Sequence, residues 1–259
     1  MRIIGIDVGP SKGGHIYEGG ESVLSKCPKC LSEFLNGIQD DVLIAWDAPL
    51  TASSNPDGQL LVESDLTQRI IEAFFSTGEY KTPKGVSVLP YAGCPHWTIS
   101  RHLLGLPRIG PYDNAVGLPF TLIVRDDELP KAGRNIVEVH PALALWLWFR
   151  EARQESSWVY KNEKQTCGEI WKLLKSQFDS VLPKNLYFSG GEIPDDDELD
   201  AVSAWLLAYC WLFKQNVSIL GDSRTGALLL PRDEVLMQEF QSFTDKQLGR
   251  RQKVKCRCG

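Results

Sequence analysis

The sequence holds no apolar run approaching the roughly 18 residues that a membrane-spanning helix requires, so no membrane span is expected. Its first residues enter a strand pattern at once. They lack the charged n-region, apolar h-region and small-residue cleavage site of a signal peptide. Positive charge is not in excess, because 28 Lys and Arg stand against 33 Asp and Glu for a formal charge of −5. That balance excludes a globally basic nucleic-acid binder. The seven cysteines are odd in number, scattered over 259 residues, and do not resemble a disulfide framework. No repeat or low-complexity linker divides the chain. A cytoplasmic, mostly reduced protein is expected.

What is present suits an ordinary globular chain: 43% hydrophobic residues with 24% charged ones rule out a disordered or fibrous polymer. The charge is uneven. Lys246, Arg250, Arg251, Lys253, Lys255 and Arg257 close the sequence with no acid among them, leaving 22 cations against 33 acids in residues 1–245. We expect one domain over 1–245, with a Gly/Pro-rich insertion at about 76–118, and a basic, Cys-containing tail over 246–259.

Arg2 to Asp7 reads as a buried strand ending in an acid, followed by a Gly/Pro/Ser/Lys turn. Shorter strands are predicted at His15 to Glu18 and Ser22 to Ser25, and a short helix at Ser32 to Ile38. Asp41 to Asp47 is a second buried strand ending in an acid, stopped by Ala48-Pro49-Leu50. Helical spacing covers Leu66 to Phe75 and Trp97 to Leu104. Strands follow at Phe120 to Val124 and Ile136 to Val139, then helices at Ala142 to Gln154, Glu163 to Phe178 and Ala201 to Lys214. Val217 to Leu220 and Ala227 to Leu230 are strands, and Asp233 to Leu248 is a last helix. This order predicts an α/β fold: a mixed sheet of three early antiparallel strands and later parallel ones, flanked by helices.

The acids fall in a pattern. Asp7 and Asp47 end apolar strands, Glu138 lies near the end of a third, and Asp197 and Asp200 share a face at the start of the apolar helix. An acid in an apolar strand is costly unless it is paired or binds a cation. Open α/β sheets place their sites at strand carboxyl ends. Converging carboxylates suit a hard divalent ion such as Mg²⁺ or Mn²⁺. Two such ions would clamp a phosphodiester, activate water and stabilise the leaving oxygen. Local roles compete. Asp195 with Glu198 is a capping box, Asp196 suits the helix macrodipole, and Asp7 and Asp47 each suit a turn cap.

Ile4-Gly5-Ile6-Asp7-Val8-Gly9, the three early strands, Asp47 and the Asp197-x-x-Asp200-Ala201 helix start resemble the ribonuclease H-like nucleases, especially the Holliday-junction-resolvase branch. More narrowly, Asp7 with Lys12-Gly13-Gly14, Asp47-Ala48-Pro49-Leu50, Glu138-Val139-His140-Pro141, Asp197 and Asp200, and Gly221 to Pro231 are similar to the domain-of-unknown-function family 429. That family is described as predicted nucleases of ribonuclease H fold. The resemblance implies a metal-dependent nuclease acting on nucleic acid. Asp7, Asp47 and Asp200 would be Mg²⁺ or Mn²⁺ ligands, with Glu138 or Asp197 completing the metal shell and both belonging to the catalytic set. Here Asp7 is followed by Val-Gly-Pro-Ser rather than the more usual Gly-Cys-Arg, which leaves open whether Lys12 binds substrate.

Other readings stay open. Asp7-x-Gly-x-Ser-Lys also resembles the first phosphate loop of actin-like sugar kinases, and a non-catalytic binding or scaffolding module would keep the same fold. Cys27-Pro28-Lys29-Cys30, with Cys256 and Cys258, would supply four thiolates to a structural Zn²⁺. A redox role for Cys27 and Cys30 is disfavoured, because the pair is not expected to follow a strand at a helix start in a thioredoxin-like unit. His140 is a candidate proton carrier or phosphate contact, against the commoner structural histidine.

Overall fold

The computed structural model describes residues 1–9, 13–51, 68–76, 80, 82–88, 100, 103–104, 120–154 and 156–255, with side chains up to 249, and eight strands and six helices are defined among these described residues. The strands are β1 (Arg2–Gly9), β2 (Gly13–Tyr17), β3 (Leu24–Lys26), β4 (Val42–Asp47), β5 (Thr121–Ile123), β6 (Arg134–Glu138), β7 (Val217–Asp222) and β8 (Gly226–Pro231). The helices are α1 (Pro28–Gly37), α2 (Ile70–Ser76), α3 (Pro141–Phe149), α4 (Lys164–Gln177), α5 (Asp196–Leu212) and α6 (Glu234–Lys255).

Six strands form one sheet in the order β3-β2-β1-β4-β6-β5, and β7 pairs with β8 as a separate antiparallel ribbon. The β3-β2-β1 edge is antiparallel, and β1-β4-β6-β5 run parallel. This is the mixed sheet expected from the order of elements. The ribbon touches it through a parallel bridge between Val139 and Leu229. Among the described residues no helix is long and apolar enough to cross a membrane.

Two boundaries differ for local reasons. Helix α1 starts four residues before the expected Ser32, because the Cys27 side chain caps it and Pro28 fills its first position. Helix α6 runs on to Lys255, through residues expected to be tail. Cations at a helix C-terminus oppose its negative end, so the basic run favours extension. Most of the expected insertion at 76–118 lies outside the described residues.

Period-two alternation divides the core. Ile4, Ile6 and Val8 of β1 and Val42, Ile44 and Trp46 of β4 join Leu31 and Leu35 of α1 on one face. The intervening Ile3, Leu43 and Ala45 face the other side, with α2, α3, α4 and α5. Helix α5 is buried on nearly every side from Glu198 to Trp211, as befits a helix apolar all round. It starts at the expected capping box: Asp195 Oδ1 accepts the Glu198 N–H at 2.8 Å, and Glu198 Oε2 accepts the Asp195 N–H at 2.9 Å.

Gly5 lets α5 lie directly on β1. A Cβ there would stand 2.3 Å from both Ala201 O and Trp205 N, and backbone atoms cannot rotate aside. Gly5→Ala is therefore expected to destabilise the protein by about 3 kcal/mol, read as a drop in the urea midpoint. An unchanged midpoint would mean that helix and strand are not in this close contact.

Candidate metal centre

The contact at Gly5 sets the position of the acids. Asp7 lies two residues on, on the same face of β1, and α5 brings to it Asp197, one turn before Ala201, and Asp200, next to Ala201. Strands β1 and β4 are parallel and pair Asp7 with Asp47, so these two carboxylates stand side by side. The result is a cluster of Asp7, Asp47 and Asp200, whose ligand atoms all lie within 4.8 Å of one another. A second group, Asp7, His15 and Asp197, meets the same limit and shares Asp7. His15 comes from β2, opposite Asp7 in the antiparallel register.

Asp7 is 7% exposed and Asp200 1%, while Asp47 keeps some contact with solvent. Burial raises the Asp7 carboxyl well above the usual carboxylate range, and the charges of Asp47 and Asp200 push it further. Asp47 is pushed up to about 8, again by burial first and then by Asp200. Asp200 is also raised by burial, partly offset by two donors. Tyr160 Oη donates to Asp200 Oδ1 at 2.6 Å, and Lys161 Nζ pairs with Asp200 Oδ2. The Lys161 ammonium also lies 3.8 Å from Asp196, and the surrounding acids hold it above its usual range although burial pulls the other way. Lys161 thus serves as an internal counter-ion to the cluster. The three acids and Lys161 line a cleft of about 220 Å³ with Arg69, Glu138 and His140.

A family model described as "Protein of unknown function (DUF429)" matches residues 5–224. The chain belongs to this family. No curated protein and no solved structure matches it. The DUF429 match takes in every acid of the cluster, together with His15, Tyr160 and Lys161.

Of the residues expected at the DUF429 site, Asp7, Asp47, Asp197 and Asp200 are brought together. Glu138 is not. It pairs with Trp46 in the β4–β6 register, one step before Asp47, and its side chain lines the same cleft without entering either group of ligand atoms. There its carboxylate is held by Arg69, whose Nη1 and Nη2 donate at 2.8 and 2.7 Å, and by the Leu50 N–H at 2.8 Å. Glu138 therefore fixes the chain leaving Asp47 and does not join the three acids.

His140 caps α3. Its Nδ1 accepts the Leu143 N–H at 3.4 Å, and its Nε2 lies 3.2 Å from Ser87 O as the donor of that tautomer. Burial lowers it to about 4, so it stays neutral near pH 7 with both nitrogens engaged. These bonds make the ring the cap of α3, while its edge lines the cleft that holds the three acids. Lys12, Cys256 and Cys258 lie outside the described residues.

Sequence reasoning missed His15, Tyr160, Lys161 and Arg69. His15 had a signal, since it sits in a predicted strand that must pair antiparallel with Asp7. The other three sit outside recognisable motifs.

The raised acids give the metal-free protein a pH dependence. Asp47 keeps its proton in the fold up to about 8 but loses it near its ordinary 3.8 when unfolded. Its contribution to stability therefore declines as pH rises between those values. His140 acts oppositely, because its proton is lost near 4 when folded against 6.5 unfolded, so stability falls as pH drops through that window. Of these two groups, only Asp47 acts between pH 6.5 and 8. Urea unfolding in EDTA should show stability falling across that interval, and a divalent cation should abolish the fall. A flat EDTA profile would contradict the clustering.

Proposed function

We propose that this DUF429 chain is a divalent-metal-dependent nuclease that hydrolyses phosphodiester bonds. The observation that carries the reading is the convergence of Asp7, Asp47 and Asp200 in an open cleft. The donor set fits the metal. Oxygens around an octahedral Mg²⁺ at about 2.1 Å stand roughly 3 to 4 Å apart, a spacing compatible with three carboxylates whose oxygens lie within 4.8 Å of one another. Their raised proton affinities are what crowded acids acquire when no cation shares the charge. Asp7 would be the ligand common to both groups, with Asp47 and Asp200 on one side and Asp197 and His15 on the other.

When bound, such ions supply a polarised phosphoryl oxygen and an acidified water. The chain's own residues do the rest. Tyr160 orients Asp200 through its hydroxyl. Lys161, its side chain 45% exposed, can leave the acids once a metal neutralises them and turn its ammonium to a phosphate oxygen. Glu138 and Arg69 hold the Asp47–Leu50 turn in place. The acidic balance of the chain makes nucleic-acid binding depend on those cations. The phosphodiester as substrate class rests on the ribonuclease H-like resemblance together with this site.

The test is incubation of the full chain with labelled RNA, DNA and branched junctions, with and without Mn²⁺. Cleavage only with the metal is expected. Intact substrates in every arm would sink the nuclease reading.

A further inference from the structure

The Cys27-Pro28-Lys29-Cys30 segment is not used by the metal site, and its surroundings differ from those expected. It lies between a strand and a helix start, β3 ending at Lys26 and α1 beginning at Pro28, although β3 is an antiparallel edge strand and not part of a thioredoxin-like unit. Cys27 is the N-cap, extended at φ −62° and ψ 162°, and its Sγ accepts the Cys30 N–H at 3.3 Å. Pro28 presets the first helical turn, so Cys30 returns to the same side and the two sulfurs stand 2.7 Å apart. Tetrahedral zinc ligands at about 2.3 Å from the metal would hold their sulfurs about 3.8 Å apart. The observed spacing is nearer the roughly 2.05 Å of a covalent disulfide. Both thiols are exposed, whereas Cys167 and Cys210 are buried.

We propose that Cys27 and Cys30 form a redox-active dithiol that exchanges with small-molecule disulfides. The first turn of α1 contains no acid, so its N-terminal dipole is free to favour a thiolate at the cap. The Cys30 thiol and N–H donate to Cys27 and lower its proton affinity, while the same contact raises that of Cys30. Burial instead pushes Cys167 up to about 12 and Cys210 up to about 11, which leaves them inert at neutral pH.

Cys27 is the attacking sulfur and Cys30 the resolving one. The Cys27 thiolate forms a bond to one sulfur of the disulfide, and the other sulfur leaves as a thiolate that takes a proton from solvent. Cys30 then gives its proton to solvent and attacks Cys27 Sγ. The Cys27–Cys30 bond forms and the second thiolate leaves to be protonated. One disulfide is reduced to two thiols, and one dithiol is oxidised.

The test equilibrates the full chain without oxygen in buffers of stepped glutathione to glutathione-disulfide ratio, followed by acid quench, alkylation and peptide mapping. Cys27 and Cys30 should become protected together in one two-electron transition, with Cys167 and Cys210 still reduced. In Cys30→Ser a glutathione adduct should accumulate on Cys27, at least about tenfold faster than on Cys30 in Cys27→Ser. Three results would overturn the proposal. One is a pair still alkylated at the highest disulfide fraction, and another is equal reactivity of the two single variants. The third is one tightly bound Zn²⁺ per chain shielding Cys27, Cys30, Cys256 and Cys258. None of these readouts depends on nuclease activity.

Discussion

Replacing Asp7 by Asn should abolish metal-dependent cleavage, by on the order of 10³-fold, and at the same time make the metal-free protein more stable. The two effects share one cause. Asp7 belongs to both groups of ligands, so its charge is the one that neither site can lose. Asn keeps the shape of the side chain but brings no charge to a cation. Without metal, that charge is a burden: the carboxyl is 7% exposed and faces Asp47 and Asp200. Its removal relieves burial and repulsion together, and a gain of about 1–2 kcal/mol above pH 7 is expected in EDTA. Lys161 keeps its partner in Asp200, so no new unpaired charge is made. The measurements are the cleavage rate in Mn²⁺ and urea unfolding in EDTA. A variant that loses activity and stability together would mark Asp7 as a structural residue.

The largest loss of stability is expected at Arg69, which binds no part of the acid cluster. It is 2% exposed and lies between Glu72 and Glu138, which are 0% and 4% exposed. Its Nε donates to Glu72 at 2.8 Å, its two terminal nitrogens grip Glu138, and Nη1 also donates to Thr51 at 2.9 Å. Arg69→Met would fill much of the space but leave two buried carboxylates without their cation. Breaking a buried pair in this way costs about 3–5 kcal/mol. The deficit should be larger at pH 8 than at pH 5. Burial already raises Glu138 against the pull of Arg69, and a protonated acid is cheaper to bury. Adding Glu72→Gln and Glu138→Gln to Arg69→Met should recover part of the loss, because all three charges then leave together. A single variant as stable as the parent would show that the network is not buried as described. Activity should fall as well, since Glu138 anchors the Leu50 N–H three residues beyond Asp47.

The parts of this fold that were legible share a property: their signals are local. The apolar stretch before Asp7 and the turn after Asp47 mark strand ends by composition alone. Asp195 and Glu198 announce the start of α5 because both halves of a capping box lie within four residues. The start of α1 was misplaced although its signal was equally local, since cysteine is not among the usual capping residues and Pro28 was read as part of a zinc motif. The same oversight placed the cysteine pair ahead of the helix rather than at its start.

The site was legible to the extent that it follows from strand ends and helix starts. Asp7 and Asp47 sit at strand ends, and Asp197 and Asp200 at a helix start. Lys161 and Tyr160 do not: they come from the stretch before α4, and nothing in residues 158–162 marks them as neighbours of Asp200. Arg69 is likewise one cation in an unremarkable stretch, made important by two acids that reach it from α2 and β6.

By itself, then, the sequence determined which segments are strands and helices, which of their ends carry acids, and that the charge of the body is negative. These follow from side-chain period, turn chemistry and counting. Only the tertiary structure decided which of those acids meet. Asp7 stands beside Asp47 because the β1–β4 register pairs them, whereas the β4–β6 register pairs Glu138 with Trp46 and leaves its carboxylate to Arg69 in the same cleft. Strand register is a long-range choice, made by the packing of whole faces, and a shift of one residue turns every side chain over.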